Sequence, residues 1–190
     1  MSGRAALSDL RVLDLSTPLA EATGRILADL GAEVIKIEPP GGCEARFAPP
    51  FSCAPKARGT SSDLSGDGGF QRPVPGQGDP ESSLFWRAWG QGKKSVVLDL
   101  EAAGDREKFL ALVDTADVLV ESFTPGVMDA KGLGQAALRA RNPMLLYVSV
   151  SPFGQTGPHA KAAATDLTLA AAGGLLNMTG EGDRPPVPVG

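Results

Sequence analysis

The chain has 190 residues, 42% of them hydrophobic and 21% charged, with a formal charge of −4, a composition that suits one ordinary domain with its own core. The acidic balance argues against nucleic acid as a main partner, and no apolar run is long enough for a membrane helix. With two cysteines, one histidine and no signal-peptide pattern in MSGRAALSDLRVLDL, no disulfide framework or zinc site is expected, and a cytoplasmic protein is.

Residues 11–15 (RVLDL) form a short apolar run followed by Ser16-Thr17-Pro18, the pattern of a buried strand and its turn. Ala22, Ile26, Leu27 and Leu30 then recur at helical spacing over 19–30, and Gly31 is placed to cap the helix. Residues 33–37 (EVIKI) alternate apolar and charged, which predicts a second strand and completes a βαβ unit. From about 40 to 82 the chain is rich in Gly, Pro and Ser without a period, so a flexible loop or insertion is expected, least ordered over 59–78. Order resumes with a short apolar segment at 84–89 and a strand at 95–100 (SVVLDL). A helix follows over 104–115, with Phe109, Leu110, Leu112 and Val113 on one face. A strand over 117–123, an Ala-rich helix over 127–141, a fifth strand over 144–150 and a helix over 166–176 complete the pattern. Alternating helices and apolar strands predict an α/β fold: a Rossmann-like parallel sheet with helices on both faces. The loop-like 181–190 (EGDRPPVPVG) leaves the last helix without a following element, which reads as an incomplete domain.

The turn after the first strand lacks G-x-G-x-x-G, which disfavours an ordinary dinucleotide site. Three features rise above background. Lys93-Lys94 could meet phosphate groups, although a lysine pair is more often a solvated edge. The segments ESFTPG (121–126) and SPFGQTGP (151–158) both follow strands, where open α/β sheets gather ligands. Asp166 opens an otherwise uncharged helix; its plainer reading is an N-terminal acid held by backbone N–H groups. Asp14, Glu38 and Asp99 read as strand carboxylates with ordinary partners.

The blocks RVLDLS, RILADLGAEVIKIEPPGG, GKKSVVLDL, ADVLVESFTPGV, NPMLLYVSVSPFGQTGP and TDLTLAAAGGLLNMTG, in that order, resemble the class III CoA-transferase family, which also contains the α-methylacyl-CoA racemases. The resemblance implies that residues 1–190 are the N-terminal part of the family's large domain, with a homodimer in the complete member. It implies transfer of CoA between carboxylic acids, with acyl-CoA and small carboxylic acids as substrates and no tightly bound cofactor. Lys94 matches a basic position that contacts CoA, and Glu38, Pro39 and Phe123 lie in blocks along the adenine and pantetheine path. Asp166 matches an acidic position beside the active site, and the nucleophilic aspartate itself is expected just past Gly190, with no catalytic residue inside the chain. Departures from the family pattern are the shorter turn Pro18-Leu-Ala-Glu21, Gly90, and Ser122 and Thr124 in place of an Asn and an Arg. Thr165 stands where racemases carry a histidine, which weighs against a 2-methylacyl-CoA racemase. The expectation is an acyl-CoA:carboxylate CoA-transferase, N-terminal portion, with a non-catalytic CoA-binding module or inactive fragment as the alternative.

Overall fold

The computed structural model describes residues 4–52 and 82–179, divided between two units, Met1–Val150 and Ser151–Gly190. The first unit is built on five parallel strands: β1 (Arg11–Leu15), β2 (Glu33–Glu38), β3 (Lys94–Val97), β4 (Val118–Glu121) and β5 (Leu146–Ser149). Their spatial order is β3-β2-β1-β4-β5, all neighbours parallel. That order, with its reversal between β1 and β4, is the doubly wound arrangement expected from the alternating pattern.

Side chains alternate across a strand, so the two faces of the sheet can be read from β1. Leu13 and Leu15 belong to one apolar cluster, together with Ile37, Leu119, Phe109, Val113, Met128 and Leu138. The last four come from α3 (Ala103–Val113), α4 (Val127–Ala130) and α5 (Gln135–Arg141), which therefore cover that face. Val12, on the opposite face, clusters with Val34 and Val120 against Leu27 and Ala28 of α1 (Glu21–Asp29). Both faces of the central strands are buried, as parallel sheets require.

Several boundaries differ from the sequence reading for identifiable reasons. The single helix expected over 127–141 is two short helices. Gly132 between them takes φ +65, and a Cβ on Gly134 would overlap the Asp129 carboxylate. β3 starts at Lys94 and stops at Val97 because the chain then turns, with the Asp99 N–H donating to Asp105 of α3 at 3.1 Å. Gly31 does close α1, at φ +100, a conformation in which a Cβ is costly. A further helix, α2 (Leu84–Trp89), starts at Ser83, whose hydroxyl accepts the Trp86 N–H. Of the irregular stretch expected over 40–82, residues 53–81 lie outside the described residues, as does the least ordered part, 59–78. Its beginning forms a 3₁₀ turn, Glu44–Phe47.

The second unit contains α6 (Asp166–Ala172) and a 3₁₀ turn, Leu175–Met178. Among the described residues no helix is long and apolar enough to cross a membrane.

Candidate active site

The strand order reverses between β1 and β4, and the crevice beyond their carboxyl ends is where sheets of this kind bind ligands. Two turns border it. One is Ser16-Thr17-Pro18 after β1; the other is Ser122-Phe123 after β4. They are tied together: the Thr17 N–H donates to Ser122 Oγ at 2.8 Å, and the two hydroxyls share a hydrogen bond at 2.9 Å. Beside them Glu121 accepts from the Phe123 N–H at 2.8 Å and from the Ser149 hydroxyl.

Beneath the first turn lies a group of buried charges. Asp14 of β1 and Lys36 of β2 point to the α1 face, one layer above Val12 and Val34. Glu21 at the start of α1 and Lys93 just before β3 join them. Lys36 Nζ sits 2.5 Å from Glu21 and 3.3 Å from Asp14, while Lys93 Nζ sits 2.6 Å from Glu21 and 2.8 Å from Asp14 Oδ2. All four side chains are buried, at 0–1% exposure. Two carboxylates thus face two ammonium groups. Lys93 meets Asp14 Oδ2 off the line of a hydrogen bond, so that oxygen has charge compensation without a directed partner. Burial pushes the Asp14 carboxyl up, but the charges of Lys36 and Lys93 and the bond from Ser16 outweigh it and hold it below its ordinary range.

Glu38 ends β2, and its carboxylate is fully engaged. Arg46 grips it with two hydrogen bonds, 2.6 and 2.8 Å, the Cys43 N–H donates at 3.0 Å, and the Ser95 hydroxyl donates as well. Burial raises its pKa, but these donors prevail and bring it down to about 2. Arg46 also stacks on Trp86, 4.2 Å from the ring centre. Glu38 thereby anchors the loop after β2. Cys43 in that loop is buried, and burial together with the charge of Glu38 raises its thiol to about 11, so it is neutral and unreactive near neutrality.

The expected site residues divide by location. Glu38 and Pro39 lie at the carboxyl end of β2 and Phe123 at that of β4. Lys94 is the first residue of β3, at the amino side of the sheet, with an exposed side chain that pairs with Glu33 at 2.6 Å. The structure therefore does not bring Lys94 together with Pro39 and Phe123. Lys93, read from sequence only as half of a basic pair, is the buried member. Lys36 and Glu21 were not singled out by the sequence reading. The alternation in EVIKI looks like a solvated face, whereas β2 is an interior strand with both faces covered.

In the second unit, Asp166 is the first residue of α6 but does not cap it. Thr165 does: its hydroxyl accepts the Thr168 N–H at 3.2 Å, and the Thr168 hydroxyl accepts the Thr165 N–H at 2.7 Å. This reciprocal pair is a capping box, which satisfies the N–H groups of Thr165 and Thr168. Among the described residues the Asp166 carboxylate accepts no hydrogen bond, and the residue is exposed. Contrary to the plainer expectation, helix N–H groups do not hold the Asp166 carboxylate. Among the described residues no group of His, Cys, Asp and Glu is arranged to hold a metal ion.

A doubly wound α/β domain with its ligand end at the β1/β4 switch point is the class that the fold defines. The chain belongs to CoA-transferase family III, whose family model matches residues 7–190. It is 40% identical to the succinyl-CoA:mesaconate CoA-transferase of Haloarcula hispanica over 97% of this chain and 42% of that protein. It is 41% identical to the acetyl-CoA:oxalate CoA-transferase of Acetobacter aceti, over 95% of this chain and 40% of that one. A CAIB/BAIF family protein from Brucella suis has a similar structure, with TM-score 0.79 and 35% identity over 99% of this chain and 44% of that one. The chain thus spans about two-fifths of the length of these relatives.

Proposed function

We propose that the protein carrying this chain is an acyl-CoA:carboxylate CoA-transferase whose nucleophile is an aspartate outside residues 1–190. The observation that carries this reading is the crevice at the β1/β4 switch point, where the turns of Thr17 and Ser122 are tied by hydrogen bonds of 2.8 and 2.9 Å. The relatives are named for short carboxylic acids such as mesaconate and oxalate, so the substrates we assign are acyl-CoA thioesters and small carboxylic acids, dicarboxylic acids foremost.

The steps balance without an added cofactor. A carboxylate oxygen of that aspartate attacks the thioester carbonyl, the carbon–sulfur bond breaks, and CoA leaves as thiolate from an acyl–aspartyl anhydride. The thiolate returns to the aspartyl carbonyl, the donor acid departs, and an aspartyl–CoA thioester remains. The acceptor carboxylate attacks that thioester and expels CoA thiolate. The thiolate then attacks the acceptor's acyl carbon in the second anhydride, which yields the new acyl-CoA and restores the aspartate carboxylate. At the carboxyl ends of β2 and β4, Pro39 and Phe123 border the bound CoA in this reading, while Glu38 holds the loop instead of touching ligand. Lys94 is left out because it faces Glu33 across the amino side of the sheet. We assign the protein to the cytoplasm, as a homodimer.

The test is turnover with succinyl-CoA or acetyl-CoA as donor and oxalate, mesaconate or glutarate as acceptor. Turnover is expected with these pairs, and Lys94→Ala is expected to leave kcat unchanged. CoA binding without turnover would instead favour a non-catalytic CoA-binding module.

A further inference from the structure

We infer that Lys36 is the positioning residue of the turn after β1, and that the buried cluster of Asp14, Glu21, Lys36 and Lys93 holds Ser16 and Thr17 in place at the switch-point crevice; this rests on the crevice being the ligand end, as proposed above.

Stability alone does not account for the cluster. Four buried charges are commonly no more stabilising than apolar residues of the same volume, because desolvation offsets their attraction. Directed bonds to the backbone are what apolar residues cannot supply. Lys36 Nζ donates to the Ser16 carbonyl at 2.6 Å, to Ser16 Oγ at 3.1 Å and to Glu21 at 2.5 Å, with Asp14 Oδ1 as a fourth, longer acceptor at 3.3 Å, so its three N–H groups are all engaged. One side chain thus joins the exit of β1 to the first residue of α1. Asp14 completes the hold, accepting the Ser16 N–H at 2.8 Å and the Ser16 hydroxyl at 2.5 Å. Lys93 fixes the other side of Glu21, donating to its carbonyl at 2.9 Å and its carboxylate at 2.6 Å.

The helix is shaped to let this happen. A Cβ on Gly24 would overlap Asp14 Oδ2 and come 2.9 Å from Lys93 Cε, so α1 approaches the cluster only with glycine there. Thr17, directly after the gripped Ser16, is the residue that reaches across to Ser122. The turn is therefore held from below by Lys36 and from the side by Ser122, and its remaining open side is the crevice.

Two variants test this. Lys36→Met with Glu21→Gln removes the grip while leaving Asp14 and Lys93 as a balanced pair; Ser122→Ala removes only the lateral tie. Amide hydrogen exchange and steady-state kinetics are measured on both. Exchange at Ser16 and Thr17 is expected to quicken by about tenfold or more while β1, β2 and the body of α1 keep their protection. In the folded protein kcat/KM is expected to fall by about tenfold or more, the scale that misplacement of a site element produces. Equal quickening throughout β1, β2 and α1 would make the cluster a general stabiliser and overturn the inference, as would unchanged exchange at the turn. A looser turn with unchanged kcat/KM would also overturn it. If the wild-type protein shows no turnover, the proposed function fails, and the exchange pattern still decides whether Lys36 positions the turn.

Discussion

Glu38 is held at about pKa 2 from an ordinary 4.5, because two Arg46 bonds, the Ser95 hydroxyl and the Cys43 N–H outweigh its burial. Its folded pKa is depressed, so its contribution is complete above pH 4.5 and is lost as the pH falls towards 2. Urea unfolding of the wild-type protein should therefore show a loss of stability in that window. Glu38→Gln should be less stable at neutral pH by about 1–3 kcal/mol and should show a smaller loss on acidification; an identical acid profile in the two proteins would refute the assignment. Gly24→Ala should destabilise by about 1–3 kcal/mol, since its methyl group has no room beside Asp14 and Lys93. Lys94→Ala should change stability by less than about 1 kcal/mol, because its pair with Glu33 is solvated.

At the scale of elements, the parts that the sequence disclosed were those with one strong local signal. RVLDL is apolar, short and followed by a Ser-Thr-Pro turn, and it forms β1 over the same five residues. Gly31 closes α1 at positive φ, as its place after the last periodic leucine implied. The split of 127–141 into α4 and α5 was not legible, because it depends on contacts of Gly132 and Gly134 that no spacing reveals. Nor was the fate of the lysine pair: both residues are Lys, yet strand register sends one side chain to Asp14 and the other to Glu33. Thr165, a threonine before an acid, looks unremarkable in sequence, and only its reciprocal bonds with Thr168 show that Asp166 is spared from capping. Thr165→Ala should cost about 0.5–2 kcal/mol of local helix stability and increase amide exchange in α6; unchanged protection there would show that the cap is dispensable.

For the whole molecule, the order β3-β2-β1-β4-β5 places the turns after β1 and β4 side by side, and this is what gathers a site from residues a hundred positions apart. The order follows from physical requirements on apolar parallel strands, and the alternating pattern of the sequence implied the class of fold without giving the neighbours. Edge strand β5 and the turn that leads into it leave apolar groups uncovered among the described residues, with Leu146 at 60% and Met144 at 88% exposure. The 190-residue chain should accordingly associate as its concentration rises in size-exclusion chromatography, and Leu146→Lys should reduce that association; a concentration-independent monomer would show that this surface is inert. Covalent catalysis by an aspartate of the whole protein is tested most directly by chemical trapping. The protein is incubated with acyl-CoA, treated with borohydride, and mapped by peptide mass spectrometry. An aspartyl–CoA thioester is reduced to an alcohol, so homoserine is expected in place of one aspartate outside residues 1–190, and only when acyl-CoA is present. Turnover with no aspartate modified, or with the reduced residue at Asp166, would contradict the account.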